Sequence, residues 1–116
     1  MKMTNGKAFE ILVTIAALQE TGRLGYAIAK QRRIIETELQ EFIDLRNRAI
    51  MTNMTDGKMT EDGASAANAE IADVIDMPCE FAVYAVPEDV FTSGGLTAQQ
   101  MYQLDFMVEE GENNGE

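Results

Sequence analysis

Lys30, Arg32 and Arg33 fall within four consecutive positions, and Arg46 and Arg48 follow further along the same amphipathic stretch. Cationic side chains grouped in this way hold phosphates or carboxylates, arginine with two parallel N–H···O bonds. Tyr26, Phe81 and Tyr84 are the aromatic residues able to stack on the planar part of such a ligand. The candidate ligand-binding set is therefore Lys30, Arg32, Arg33, Arg46 and Arg48 as anion contacts, with Tyr26, Phe81 and Tyr84 as stacking groups. A second reading needs no ligand. Arg32 precedes Glu36 by four residues, Asp44 precedes Arg48 by four, and Arg46 and Arg48 sit near a helix C-terminus, where the dipole favours cations.

Catalytic chemistry finds little to work with. The chain has no His and one Cys, which excludes Ser-His and Cys-His pairs, an intrachain disulfide and a zinc site of Cys and His ligands. Cys79 opens an apolar run and reads as a small core residue before a nucleophile. The tightest acidic groupings, Asp73 with Asp76 and Glu88 with Asp89, read as solvated carboxylates, and no EF-hand order of ligands surrounds Asp56 or Asp62. Gly94-Gly95 ahead of a helix has the outline of a phosphate-cradling loop, but without a preceding strand it reads as a simple turn. No catalytic residue, metal or cofactor is expected, and the chain reads as a binding protein.

The cations are also segregated along the chain. Residues 1–50 hold eight cations against six acids, and residues 51–116 hold one, Lys58, against fourteen. A basic strip on an acidic body favours a small anion or an acidic segment over bulk nucleic acid, which a net charge of −11 repels. The run Ile11 to Leu18 follows two lysines, but Glu10 interrupts it and no cleavage site follows, so no signal peptide is expected. No stretch approaches the roughly 20 apolar residues that span a bilayer. A cytoplasmic setting fits the lone cysteine.

These residues must be positioned by helices. From Lys7, with Asn5 as the expected N-cap, Phe9, Leu12, Ile15 and Ala16 recur at helical spacing. Gly22 is placed to enter the left-handed conformation after that helix, with Gly25 in the connection. From Leu24 to Ile50, the residues Leu24, Ile28, Ile35, Leu39, Phe42 and Ala49 form a near-heptad stripe, broadened by Ile34, Ile43 and Leu45, which predicts a helix roughly 40 Å long. The short connection predicts an antiparallel hairpin over residues 6–50. The long helix outreaches its partner, so Phe42 and Ile43 need another element or another subunit to cover them.

Residues 51–63 contain Asp56-Gly57 and Asp62-Gly63 and predict a mobile loop or tiny hairpin. A short helix over Ala64 to Asp76 is expected, stopped by Pro78. Cys79 to Val86 mixes aromatic and β-branched residues and predicts a strand, with Phe81, Val83 and Ala85 on one face. Its partner is expected from the 51–63 loop, the 87–95 segment or a second subunit. Thr97 with Gln100 is a capping box opening a last helix that buries Met101, Leu104 and Val108. The fold class is α+β and mainly helical, a single domain over residues 1–110 comprising the hairpin, the turn region 51–63 and a helix–strand–helix unit over 64–110. Residues 111–116 are expected to be a disordered tail.

The layout of short helix, long helix "GYAIAKQRRIIETELQEFIDLRNRAI", strand "CEFAVYAVPEDV" and closing "LTAQQMYQLDFMVE" resembles the small tailed-phage proteins grouped as domain of unknown function 1617. The resemblance covers about residues 5 to 110 and implies a phage or prophage origin, with no established biochemical role. Phage proteins of similar size include anti-defence sponges that sequester cyclic nucleotide signals, such as the anti-Thoeris proteins that bind cyclic ADP-ribose isomers. That logic requires an oligomer, arginines for phosphates and aromatics for the base. The expectation is a homo-oligomeric accessory protein binding a small anionic ligand of this kind. The alternative is a phage structural or assembly protein whose long helix docks on a protein partner.

Overall fold

The computed structural model describes residues 1–109. A short strand, β1 (Lys2–Thr4), passes directly into helix α1 (Asn5–Ala16). The N-cap is Thr4, one residue before the expected Asn5: its hydroxyl accepts the Lys7 N–H at 3.1 Å. Asn5 is engaged elsewhere, its side-chain amide donating to the Val74 carbonyl at 2.9 Å. Ala8, Ile11, Leu12 and Ile15 are buried along one face of α1.

Residues 17–21 reverse the chain into α2 (Gly22–Glu38), which packs on α1. Gly22 has φ of +69°, the left-handed conformation expected of it, whereas Gly25 lies within α2 and not in the connection. Leu39 departs from helical values, with φ −92° and ψ 9°, and separates α2 from α3 (Gln40–Thr52). Hydrogen bonding nonetheless crosses it, Leu39 N–H to Ile35 at 2.9 Å and Ile43 N–H to Leu39 at 2.8 Å. The two helices together are the long helix expected of this stretch.

The far half of that helix is covered by other elements of the same chain, one of the two covers expected for it. Phe42 is buried and meets Phe9 edge-on at 5.9 Å. Helix α4 (Glu61–Ile75) lies along α3 and buries Ala49 against Ala67 and Ile71, with Leu45 and Val74 at the margin. No second subunit is needed to fill this stripe. The turn region forms a hairpin, β2 (Met54–Thr55) with β3 (Lys58–Met59), in which Asp56 and Gly57 have φ of 51° and 74°. Two successive positive φ values define the hairpin turn that Asp-Gly favours. The second Asp-Gly pair behaves differently: Thr60 accepts the Gly63 N–H at 3.0 Å, so Asp62 and Gly63 form the first turn of α4, which starts at Glu61 and not at Ala64.

The run from Cys79 to Val86 departs most from expectation. Only β4 (Pro78–Glu80) forms a ladder, antiparallel to β1 with Met3 opposite Cys79. Phe81 prolongs it by one rung, exchanging bonds of 3.0 and 2.7 Å with Met1. The partner is thus the first residues of the same chain, none of the three expected sources. Beyond Phe81 no further β1 residue is opposite, and residues 82–85 carry no strand assignment. Val86 makes an isolated parallel bridge to Val108. The expected shared face fails with the ladder: Phe81 is buried, while Val83 and Ala85 are exposed.

Helix α5 (Glu88–Thr92) leads to α6 (Ala98–Leu104), which opens with the expected Thr97–Gln100 capping box. A 3₁₀ turn (Asp105–Met107) follows, so Val108 lies outside the helix and serves the bridge to Val86. Ile15, Ile35, Leu39, Leu104 and Met107 are fully buried, joining α1, the long helix and the C-terminal elements in one core. The chain measures 56 × 27 × 22 Å along its principal axes. The tail expected at 111–116 lies outside the described residues. No described helix is long and apolar enough to cross a membrane.

Candidate anion-binding face

Helix α2 buries Leu24, Ala27, Ile28, Gln31 and Ile35, which leaves Tyr26, Ala29, Lys30 and Arg33 in a row on its outer side. The Lys30 ammonium stands 5.5 Å from the centroid of the Tyr26 ring, and Tyr26 meets Tyr84 edge-to-face with centroids 6.0 Å apart. Tyr26 is 57% exposed and Tyr84 36%. Tyr26, Ala29, Lys30 and Arg33 line a hollow of about 170 Å³ that contains no acid.

Ala29 and Arg33 also border a second cleft of about 300 Å³, whose rim includes Glu20, Arg32 and Glu36. Its Arg32, Glu36 and Glu20 are already engaged. Arg32 pairs with Glu36 at 3.1 Å, and the Glu20 carboxylate accepts the Gly95 N–H at 2.8 Å. The Arg32–Glu36 contact is the one ion pair among the described residues, so Lys30 and Arg33 have no described carboxylate within 4.0 Å. Surplus positive charge therefore collects on the tyrosine side of Arg33.

Besides Arg32, which is paired with Glu36 on the other cleft, three of the candidate residues do not join this face. Arg46 stacks over the Phe9 ring, 4.6 Å from its centroid, and is committed to packing between α1 and α3. It also lies thirteen residues beyond Arg33, roughly 20 Å along the helix. Arg48 borders a shallow depression with Asp44, Asn47 and Met51; the expected Asp44–Arg48 pair is not formed, and Asp44 accepts from Gln40 at 3.0 Å. Phe81 is 4% exposed and packed edge-on against Phe106 at 6.3 Å, so it cannot stack on a ligand.

Two residues of this region were not legible as functional. Gln31 is fully buried and hydrogen-bonded to the segment that carries Tyr84, and Glu20 fastens the Gly94-Gly95 turn. A polar residue on the apolar stripe between Ile28 and Ile35 is a signal that marks Gln31; no local pattern marks Glu20. Gly94-Gly95 is the simple turn expected, its Gly95 N–H given to Glu20. Cys79 is buried with its Sγ 3.8 Å from the Thr4 carbonyl. Burial pushes its thiol up, and the negative charge of Glu38 adds to the effect. No group of three or more His, Cys, Asp or Glu suited to a metal ion occurs among the described residues.

No family model matches the chain, and no curated protein or solved structure matches it either.

Proposed function

We propose that the protein acts by binding, and that the face formed by Tyr26, Lys30, Arg33 and Tyr84 takes a small anion bearing a planar ring, of the cyclic-nucleotide kind. One observation carries this reading: two cations without described acidic partners stand beside two exposed, mutually packed tyrosine rings, on a chain with a net charge of −11. Guanidinium and ammonium groups serve the phosphate, and the rings serve the base. Hollows of about 170 and 300 Å³ are small and open against the 300–1,000 Å³ typical of ligand sites, so a second copy closing over the ligand belongs to the proposal. Sequestration of such a ligand by a phage or prophage accessory protein in the host cytoplasm accords with the resemblance in layout, which is its sole support. Thermal denaturation with a panel of cyclic mono- and dinucleotides tests the ligand. Ligand at about a hundred times its dissociation constant stabilises by about 2.7 kcal/mol, a shift of several degrees in a domain of this size. No shift with any member removes this reading.

The openness of both hollows favours one other reading, a protein-docking face of an assembly protein. Exposed tyrosine and arginine are enriched where protein interfaces draw their affinity. Under that reading, charge reversal at Arg32 and Arg33 weakens a protein complex while nucleotides leave the melting temperature unchanged.

A further inference from the structure

Gln31 is the one buried polar side chain among the described residues, 0% exposed on the inner side of α2. Both ends of its amide are used. The Nε2 donates to the Ala82 carbonyl at 3.0 Å, and the Oε1 accepts the Tyr84 N–H at 2.7 Å. Alternate residues of an extended chain turn their polar groups to the same side, so this amide takes the place that a neighbouring strand would fill. The other hydrogen bonds of the segment lie at its ends. Phe81 is held by Met1, and Val86 by the Met107 carbonyl at 2.7 Å and the Glu109 N–H at 2.8 Å. Between them, Gln31 makes the only described hydrogen bonds to the exposed strap that carries Val83, Tyr84 and Ala85.

We propose that Gln31 is a positioning residue for ligand recognition: it fixes the Tyr84 backbone, and with it the edge-to-face pair that Tyr84 makes with Tyr26 beside Lys30 and Arg33. The proposal rests on reading that face as a ligand site. An apolar residue would continue the stripe of α2 but would leave the middle of the strap unheld. A buried amide avoids the desolvation cost of its position only with both ends matched, as they are here. The consequence is selective. Lys30 and Arg33 belong to α2 and keep their places without the strap, whereas the Tyr84 ring does not. Gln31 therefore governs the preference for a ring-bearing anion over a bare one.

The test uses the full chain labelled with fluorinated tyrosine, so that Tyr26, Tyr84 and Tyr102 each give a fluorine signal. Gln31→Met keeps the length of the side chain and removes both polar ends. The Tyr84 and Tyr26 signals are expected to move while Tyr102, on α6, stays. Unmoved Tyr84 and Tyr26 signals in the folded variant overturn the proposal. Movement of all three signals reports unfolding, and Gln31→Leu, which also lacks both polar ends and suits the apolar stripe, then decides by the same criterion. Adenosine monophosphate and inorganic phosphate serve as probes of binding. In Gln31→Met the affinity for adenosine monophosphate is expected to fall roughly tenfold, with phosphate affinity unchanged. Equal losses for both probes overturn the proposal, because general loosening of the fold acts on both. If the unsubstituted protein binds neither probe, the ligand reading of the face falls, and the fluorine signals still decide whether Gln31 positions Tyr84.

Discussion

The Glu20 carboxylate accepts the Gly95 N–H at 2.8 Å, tying the connection after α1 to the turn before α6 across 75 residues of sequence. Gly94 makes that approach possible. A Cβ there would strike Leu24, which is buried in the core, and come within 2.9 Å of the Glu20 carboxylate. Gly94→Ala is therefore expected to destabilise by about 1–3 kcal/mol through overpacking. Gly22→Ala meets no atom within 4 Å but must hold φ near +69°, a backbone cost of about 1–2 kcal/mol. Urea denaturation separates the two mechanisms when each is combined with Glu20→Ala, which relieves part of the crowding at Gly94 and none of the strain at Gly22. A wild-type midpoint for Gly94→Ala would contradict the close approach.

Arg32 and Arg33 are adjacent in sequence but differ in availability. Arg32 is held by Glu36 at 3.1 Å in an exposed pair, a contact worth about 0.3–0.5 kcal/mol, and Arg33 has no described acid. Loss of a hydrogen bond to a charged group costs about 1.5–3 kcal/mol, so Arg33→Ala is expected to weaken anion binding tenfold or more. Arg32→Ala is expected to weaken it by less than about threefold, because only long-range attraction is lost. Titration calorimetry with adenosine monophosphate reads both. Equal losses would mean that the pair with Glu36 opens when the ligand arrives.

The helices of this fold are legible where their apolar residues recur at helical spacing, and Gly22, Asp56-Gly57 and Thr97–Gln100 mark turns and a cap by local chemistry; α5, five residues long in a segment expected as a candidate strand partner, is too short to show a period. The same periodicity sets Tyr26, Lys30 and Arg33 in one row, so three of the four residues of the proposed face can be read from α2 alone. Tyr84 reaches that row only through a tertiary contact. The composition of Cys79 to Val86 is the same whether the run lies in a sheet or serves as a strap. Its partner, β1, is three residues long and shows no period that would announce it. The pairing of Arg46 with Phe9 and of Phe81 with Phe106 likewise depends on packing between distant segments. Gln31 interrupts the apolar stripe from Leu24 to Leu39, yet nothing local names Ala82 and Tyr84 as its partners.

Cys79 gives the fold a pH dependence with a definite sign. Burial, followed by the charge of Glu38, raises its thiol above the ordinary value of 9.0. Above that value the unfolded chain releases the thiol proton while the folded chain retains it, so the unfolded state binds fewer protons and stability falls as pH rises. The contribution is present in full below 9.0 and is lost between that value and the higher folded one. Cys79→Ala is expected to lose less stability than the parent over this alkaline window. Parallel urea titrations of the two proteins check it, since every group other than the thiol is common to both and cancels in the difference. Identical slopes would show that the thiol ionises as readily in the folded state as in the unfolded one.

The two hydrophobic clusters differ enough in size to open separately. Sixteen buried residues from α1, α2 and the C-terminal elements form the larger, while Ala49, Ala67 and Ile71 form the smaller between α3 and α4. Two of those three are alanines, so this arm gains little from burial, and its far end is the exposed two-residue-stranded hairpin around Asp56-Gly57. Local opening follows low apolar burial, and amides of α4 and the last turns of α3 are expected to exchange with solvent faster than those around Ile15, Ile35 and Leu39. Ile71→Ala should lower protection in the arm by about 2 kcal/mol, the low end for such a truncation because the cluster margin is solvated. Protection at Ile15 and Leu104 should persist in that variant, since neither belongs to the smaller cluster. Native-state hydrogen exchange resolves this residue by residue, and equal losses across both clusters would show that the arm and the larger core unfold as one cooperative unit.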